Sequence, residues 1–294
     1  MSEHDWLAEQ FEQHRSRLRS VAYRMLGSLS DADDALQETW VRFSRADVGR
    51  IESMGAYLTR SVANVCLNVL RSRSRRDEQP MGLHMPDPIV SLADETDLDH
   101  ELVVAESVGL ALLVVLDRLS PGERLAFVLH DTFGMPYDEI AGILGRSSAA
   151  ARQLASRARR RVRSVSPFPD TDLSGQRRVV DAFLAAARDG GFDALIEVLD
   201  PDVVLRSDGG SSRPQLSREV HGAADVAQQA LSFAGVSSDV RPVLVNRTAG
   251  VLVARRGQPV SLLGFTVRAE KITQIDVVAD PERLRTLELP IPRD

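Results

Sequence analysis

The sequence predicts two helical domains followed by a domain of mixed α and β structure. Helical spacing of apolar residues runs from residue 6 to 76 and again from 107 to 166. An acidic segment that contains prolines separates these two blocks, and after Pro167 helices give way to strand patterns. The predicted boundaries are therefore 1–76, a linker over 77–106, 107–166 and 167–294.

Composition excludes several classes of protein. With 43% hydrophobic and 27% charged residues among 294, the chain can bury a core, and no apolar run approaches the ~18 residues of a membrane span. The first ten residues are acidic and polar, so no secretory signal is expected. A single cysteine, Cys66, rules out an internal disulfide and a cysteine-rich zinc site. We therefore expect a cytoplasmic protein without a cofactor or a metal.

Charge is distributed unevenly along the chain. The linker has nine acidic residues and no basic one, whereas 1–76 has 12 basic and 10 acidic residues. The block 107–166 has nine basic and five acidic residues, and 167–294 has 15 basic and 18 acidic residues. Two mildly basic blocks thus flank an acidic connector, and an acidic domain follows.

The first block contains three predicted helices. The second of them is expected to open at Ser30, with Asp33 as its capping-box partner. The third runs from about 56 to 76 and presents polar side chains on its outer face. The apolar stripes of the first two helices are Leu18, Val21, Ala22, Met25 and Leu26, and then Ala32, Leu36, Trp40 and Phe43.

The most specific motif lies between Pro136 and Arg163. A short apolar helix ends at Gly145, and Ser147 or Ser148 can cap a second helix, which makes the pair a helix-turn-helix. Arginine and glutamine on the second helix are the side chains that read guanine and adenine edges in the major groove, and its six arginines with no acid attract phosphates. The buried stripe is Ala151, Leu154, Ala155, Ala158 and Val162, and the outward stripe is Ala149, Arg152, Gln153, Ser156 and Arg160.

The last block reads as an α+β domain. Helices are predicted over Gly175–Arg188, up to Asp200, and over about 223–233, with a polar loop between the last two. Four strands close the chain, and the order of elements predicts mostly antiparallel pairing. The strand candidates are Pro242–Asn246, Gly250–Arg255, Leu262–Arg268 and Ile272–Val278.

Residues 7–166 resemble an extracytoplasmic-function (ECF) sigma factor of RNA polymerase. The fourth-region domain of that family, which reads the −35 promoter element, is similar to DRLSPGERLAFVLHDTFGMPYDEIAGILGRSSAAARQLASRARRRVR. The second-region helix that docks on the clamp helices of the polymerase β′ subunit resembles DADDALQETWVRF at 31–43. The helix that binds and melts the −10 element resembles AYLTRSVANVCLNVLRSRSRR at 56–76.

The resemblance implies which partners and which residues make contact. The partners are core RNA polymerase, through its β′ clamp helices and β subunit, and promoter DNA, with no membrane. Asn68 departs from the pattern, because family members often have an acid there. The implied polymerase contacts are Asp33, Asp34, Gln37 and Glu38; the −10 contacts are Arg60, Asn64, Asn68, Arg71, Arg75 and Arg76; the −35 contacts are Arg146, Ser148, Ala149, Arg152, Gln153, Ser156, Arg157 and Arg160.

The acidic linker has two interpretations. In sigma factors the connector passes near the polymerase active-site cleft, where negative charge can mimic nucleic acid. A charge run is equally a solubilising spacer.

Residues 174–285 resemble a SnoaL-like, nuclear-transport-factor-type (NTF2-like) cone. Sigma factors with this extension form a subgroup regulated by the fused domain, and two short motifs are typical of it. Here both are degraded, to HMPDP at 84–88 and DGGSSR at 208–213. The implied regulatory interface is Pro86, Asp87, Pro88, Asp208, Gly209 and Gly210, and the resemblance leaves a small cavity ligand unidentified.

Two alternatives belong to other functional classes. One is a helix-turn-helix regulator that does not engage polymerase, and the other is a cyclase or isomerase with a DNA-binding arm. Enzymes on this fold use an Asp or His base and often a Tyr donor, yet all three tyrosines lie before residue 174. The remaining polar groups, Asp202, Asp208, His221 and Asp276, are more simply explained as turn, cap or interface residues. We therefore predict a sigma factor that is not an enzyme and has no catalytic residue.

Overall fold

The chain folds into two compact units. The computed structural model describes residues 3–75, 85–92, 109–165, 168–170, 172–234, 239–287 and 289–290. One unit comprises Met1–Gln79, Asp97–Ser107 and Leu113–Ser166, and the other comprises Pro80–Thr96, Val108–Leu112 and Pro167–Asp294. Across the described ranges, we find no helix whose length and apolar character would let it cross a membrane.

Apart from one short strand, the regular secondary structure of the described chain up to residue 165 is helical. The first three carry the predicted second-region motifs, and the next four carry the predicted helix-turn-helix. Their bounds are α1 (Glu3–Leu26), α2 (Leu29–Phe43), α3 (Met54–Arg75), α4 (Leu110–Asp117), α5 (Pro121–Phe127), α6 (Tyr137–Leu144) and α7 (Ser148–Val165), with a 3-10 turn over Val48–Arg50 and a π-helical turn that continues α5 over Val128–Thr132.

The core of the first three helices follows the predicted stripes, but α2 begins earlier than expected. Gly27 ends α1 with a φ of 73°, which leaves Ser28 extended, and its side chain accepts a hydrogen bond from the Asp31 amide. The capping box predicted from Ser30 and Asp33 is therefore wrong. The Asp33 carboxylate instead accepts both Arg19 Nε and Nη2, at 2.9 and 3.2 Å.

The helix-turn-helix has the predicted local geometry. Gly145 ends α6 in the left-handed region with a φ of 65°, which glycine adopts without strain. The Ser147 hydroxyl accepts the Ala150 amide at 3.3 Å, so Ser147 caps α7. All five residues of the predicted stripe on α7 are buried, namely Ala151, Leu154, Ala155, Ala158 and Val162.

The second unit is an α+β domain built on one seven-stranded sheet. The strand order is β1-β4-β5-β6-β7-β2-β3, and among the described strands only β2 and β7 pair in parallel. The strands are β1 (Val90–Leu92), β2 (Leu199–Asp208), β3 (Arg218–His221), β4 (Asp239–Val245), β5 (Thr248–Arg255), β6 (Gln258–Arg268) and β7 (Lys271–Val278); the helices are α8 (Leu173–Asp189), α9 (Phe192–Val198), α10 (Ala223–Ala234) and α11 (Pro281–Thr286).

The core of this domain lies between one face of the sheet and three helices. Phe183 of α8 meets Phe265 of β6 edge to face, with ring centroids 5.7 Å apart, and Leu195 of α9 and Val226 of α10 are fully buried in the same cluster. The helices α8, α9 and α10 therefore cover one face of the sheet in the predicted α+β domain.

Strands β1, β2 and β3 were not predicted. β2 contains a proline near its start and the polar residues Arg206 and Asp208, a pattern that resembles the approach to a polar loop. In the structure both polar residues are buried. β1 lies in the linker, and its pairing partner β4 is about 150 residues away in the chain. Such pairing leaves no local pattern.

Candidate functional site

The exposed face of α2 holds the residues expected to contact polymerase. Asp34, Gln37 and Glu38 are exposed, and Glu38 forms an ion pair with Arg42 one turn later. Asp33 differs from them, because Arg19 occupies its carboxylate. An apolar groove between α1 and α2 borders Gln37 and is lined by Ala8, Phe11, Glu12, Arg15, Leu36, Gln37 and Trp40.

The residues expected at the −10 element lie along α3. Arg60, Asn68 and Arg75 are exposed, and Arg71 is half-buried. Asn64 is half-buried and its Nδ2 donates to the Arg60 carbonyl at 2.9 Å, which is a helix-internal contact. Arg76 lies outside the described residues.

The recognition helix α7 presents its predicted outward stripe. Ala149, Arg152, Gln153, Ser156 and Arg160 are all exposed, as is Arg146 in the preceding turn. The Arg152 guanidinium lies over the Tyr137 ring of α6, 5.3 Å from its centroid, and this cation–π contact restricts its orientation. The Ser148 hydroxyl donates to Asp138.

A buried carboxylate, Glu123, holds α7 against α5. It completes a capping box with Ser120 and accepts Arg157 Nε at 3.0 Å and Arg161 Nη1 at 2.9 Å. Burial alone would raise the pKa of Glu123, but the donors from Ser120 and Arg157 lower it below its usual value. Arg157, expected at the −35 element, is thus engaged inside the domain. Sequence reasoning missed this because Glu123 lies 34 residues away.

The linker and the cone meet at the carboxylate of Asp208. Its Oδ2 accepts the Met85 amide at 2.9 Å and Arg283 Nη1 at 2.6 Å, and its Oδ1 accepts the Gly210 amide at 2.9 Å. Arg283 Nη2 also donates to Asp87 at 2.8 Å. One carboxylate therefore joins the linker, the DGG loop and the C-terminal helix α11.

The two glycines after Asp208 are required by close approaches. A Cβ at Gly209 would lie 2.1 Å from the Arg213 carbonyl oxygen, and one at Gly210 would lie 2.0 Å from the Asp280 carboxylate. Gly210 also has a φ of 62°. The degraded motif keeps the glycines that this geometry needs. Of the six residues predicted at the interface, Asp87 and Asp208 share Arg283, Gly209 and Gly210 form the loop after Asp208, and Pro86 and Pro88 are buried beside Asp87 in the linker.

The linker continues from this point as an added strand of the cone. β1 pairs antiparallel with the edge of β4, Val90 opposite Val245. Asn246 in the following turn accepts the Ile89 amide on its Oδ1 at 3.1 Å and donates its own amide to the Ile89 carbonyl at 2.8 Å. Neither Arg283 nor Asn246 was singled out from the sequence, because no motif marks them.

The other acid and base candidates of the cone, Asp202, His221 and Asp276, each lie beside a polar neighbour. Asp276 accepts Gln274 Nε2 at 2.6 Å, the Asp202 amide donates to Asp200 at 2.9 Å, and the exposed His221 ring contacts Glu219 at 3.1 Å. Within the described residues, no cluster of three or more His, Cys, Asp or Glu side chains could hold a metal ion.

Comparison with known proteins identifies the class. Residues 10–76 match the family model "Sigma-70 region 2", and residues 109–162 match "Sigma-70, region 4". A sigma region 2 followed along the chain by a sigma region 4, which contains the helix-turn-helix, defines a transcription initiation factor.

Full-length relatives identify the family. The chain is 36% identical over 290 residues to the ECF RNA polymerase sigma factor SigJ of Mycobacterium tuberculosis, covering 93% of this chain and 92% of SigJ. It is 34% identical over 305 residues to the "Probable ECF RNA polymerase sigma factor SigI" of the same species, covering 98% of both. The crystal structure of SigJ superposes with a TM-score of 0.76 at 33% identity, covering 96% of this chain and 99% of that one.

The chain belongs to the ECF sigma factors of RNA polymerase. It acts with core RNA polymerase and promoter DNA in transcription initiation, and the predicted order of two helical sigma domains and an α+β cone is confirmed. A regulator that does not engage polymerase and a DNA-binding enzyme are not favoured.

The Asp208 contact predicts how firmly the linker is held. Arg283→Ala removes two charge-assisted hydrogen bonds, worth about 2 kcal/mol together, so amide exchange in 85–92 should become about 30-fold faster. Hydrogen exchange with mass spectrometry measures this. Arg285→Ala changes an exposed arginine of the same helix and should have no effect; equal exchange in the two variants would contradict the role of Arg283.

Proposed function

We propose that α2, α3 and α7 divide the work of a sigma factor among three surfaces. α2 binds core polymerase, α3 binds the −10 element and α7 binds the −35 element. The observation that carries this proposal is the single exposed stripe of α7, on which Arg152 and Gln153 stand side by side while the opposite stripe is buried. An arginine and a glutamine so exposed at the start of a recognition helix suit base edges in the major groove.

The distribution of arginine partners supports a division of labour on α7. Arg157 and Arg161 are tied to Glu123, and Arg159 donates to both Asp131 and Tyr137. We infer that these three orient the helix. Of the arginines expected at the −35 element, this leaves Arg146, Arg152 and Arg160 as the proposed DNA contacts. Arg157, which pairs with Glu123, therefore has a positioning role in this proposal.

Base reading by α7 can be separated from phosphate binding. Arg152→Ala and Gln153→Ala should each weaken binding to the cognate −35 sequence by about 1–3 kcal/mol and relax preference at one position. Arg152→Lys keeps the charge but loses the bidentate fork, so it should lose specificity as well. Binding titrations against a library of −35 variants measure both. Equal weakening on every sequence would instead assign these residues to phosphates.

The polymerase surface is proposed to be Asp34, Gln37 and Glu38, with the apolar groove beside Gln37 as its continuation. A protein interface typically has an apolar centre and a polar rim, and an apolar groove bordered by polar side chains has this arrangement. Asp33 contributes by fixing α2 to α1 through Arg19.

Charge reversal tests this surface. Asp34→Lys combined with Glu38→Lys should reduce capture of core polymerase by more than tenfold, because like charges placed at an interface cost several kcal/mol. Glu52→Lys, an exposed acid outside α2, serves as the matched control and should bind normally. Circular dichroism checks that the helices persist. Normal capture by the double variant would move the interface elsewhere.

We further propose that the cone is a regulatory module without catalytic activity, acting through the Asp208 contact with the linker. Its polar groups support this: the carboxylates of Asp208 and Asp276 are both hydrogen-bonded to neighbouring groups, and no tyrosine is present in the cone to act as an acid. The linker joins the two sigma domains, so its attachment to the cone offers a route for control.

Transcription in vitro tests this regulation. Core polymerase is supplied with the full chain, with the Arg283→Ala variant or with the Arg285→Ala control, on promoters selected by the protein itself. The Arg283→Ala variant should change transcript yield while leaving the start site and the −35 preference unaltered, and the direction of change gives the sign of regulation. Equal yields from all three proteins would contradict the proposal.

A further inference from the structure

The first turn of α6 and the outward side of α7 meet at one aromatic ring. Tyr137 is the first residue of α6, directly after the N-cap residue Pro136, and it is half-buried. The guanidinium carbon of Arg152 lies over this ring, 5.3 Å from its centroid. Among the residues that the structure describes, Arg152 has no carboxylate partner. The ring of Tyr137 is therefore the contact that restricts this exposed side chain.

The Tyr137 ring is itself held by the π-helical turn that continues α5. The His130 ring stacks on it with centroids 3.9 Å apart and planes inclined by 23°, and His130 Nδ1 lies 3.0 Å from the Met135 carbonyl oxygen. Arg159 Nη2 donates to the Tyr137 hydroxyl at 2.5 Å, and its Nε donates to Asp131. The π-helical turn supplies both His130 and Asp131, and such turns are frequent at functional sites. The position of the ring is therefore determined within sigma region 4.

A second bond fixes α6 relative to α7 beside this ring. The Ser148 hydroxyl, at the start of α7, donates to Asp138, the residue after Tyr137. Ser148 and Arg152 are four residues apart on α7 and therefore lie on the same side of the helix. The buried stripe of α7 holds the opposite side. The two helices thus keep their relative position without the contact between Tyr137 and Arg152, so that contact can be removed and studied by itself.

Restricting an arginine before it binds favours one base over the others. An arginine side chain loses rotamer freedom when it binds a base, and this loss weakens binding. A bidentate pair with guanine requires two guanidinium N–H groups at defined positions. A ring that restricts the guanidinium in advance reduces the loss only where this pair can form. With another base at that position the same orientation makes no bidentate pair, so the ring increases discrimination more than general affinity.

We propose that Tyr137 is a positioning residue that determines how strongly α7 discriminates at the −35 base pair read by Arg152. This inference rests on the proposed base reading by Arg152, whose donors match the major-groove edge of guanine. Tyr137 acts through Arg152 and not by touching DNA. Without the aromatic face, the guanidinium reaches phosphates on any sequence, so preference for one base falls while affinity for DNA in general is retained.

Promoter-binding titrations test this role in the holoenzyme that the full chain forms with core polymerase. The Arg152→Ala variant first identifies the base pair, as the position in a library of −35 variants where preference is lost. At that position Tyr137→Leu should lower the ratio of affinities for the preferred base and the others about two- to fivefold, the range of an exposed cation–π pair. Tyr137→Phe keeps the aromatic face and should retain the ratio. Glu139→Gln, an exposed residue of α6, is the matched control.

A double-mutant cycle separates positioning from a purely structural role. In the Arg152→Ala background, Tyr137→Leu should cause no further loss of discrimination, because no guanidinium remains to be oriented. A Tyr137 that only stabilised the fold would behave differently. Its replacement by leucine would weaken binding to every sequence equally, in both backgrounds, and the affinity ratio would stay unchanged; that result would overturn the inference.

A second series of variants keeps the shape of the ring. Phenylalanines that carry one, two or three fluorine atoms are introduced at position 137 by nonsense suppression, and each fluorine weakens the negative face of the ring. The affinity ratio at the base pair read by Arg152 should fall stepwise along this series. A flat series would overturn the role of the aromatic face, and it gives this answer even where Tyr137→Leu does not fold.

The results distinguish a failure of this inference from a failure of the function on which it rests. If Arg152→Ala lowers preference at no position, the proposed base reading by Arg152 is wrong, and the role of Tyr137 is wrong with it. If Arg152→Ala loses preference at one base pair while Tyr137→Leu keeps the full ratio there, Arg152 still reads that base pair and only the role of Tyr137 is overturned.

Discussion

The carboxylate of Glu123 is the charge on which the recognition helix depends. The chain's cations are arginines with one lysine, and the six arginines of α7 repel one another unless carboxylates compensate some of their charge. Glu123 fixes two, from a position that α5 needs in any case for its capping box. The two pairs add to the packing of the buried stripe of α7, although the arginine side chains remain partly exposed and solvent weakens the attraction. The cation–π contact with Tyr137 restricts Arg152 on the exposed side.

In the cone, the buried carboxylate of Asp208 connects several segments in a similar way. A single buried carboxylate collects an amide of the linker, an amide of its own loop and the guanidinium of Arg283. The donors come from segments far apart in the chain, and each would leave a buried polar group unpaired if it moved away. Strand β1 and the two bonds of Asn246 extend this hold along the linker, so 85–92 belongs to the cone structurally although it lies between the sigma regions in sequence.

The features that could be predicted from the sequence are those determined by residues close together in the chain. Helical periodicity gave the stripes of α1, α2 and α7, and Gly145 and Ser147 marked the turn between α6 and α7, because caps and amphipathic faces are decided within a few residues. The predicted start of α2 was two residues too late, because Ser28, which follows Gly27, caps the helix instead of Ser30. Arg283, Asn246 and the pairing of Arg157 with Glu123 depend on contacts across 34 to 196 residues, for which a single sequence has no periodic signal.

The linker between the two sigma domains is also bonded to the cone. Between Arg75 at the end of α3 and Leu110 at the start of α4, the extended chain reaches about 110 Å, which exceeds the ~85 Å between promoter elements. Length therefore does not prevent the sigma domains from separating. The cone, however, binds the middle of this segment at 85–92, so under the proposed regulation the sigma domains reach both promoter elements only if the cone moves with the linker or releases it. In the proposed regulation, the Asp208 contact is therefore coupled to the spacing of the sigma domains through one covalent chain, and a ligand or partner of the cone would act by its differential affinity for the bound and the released linker.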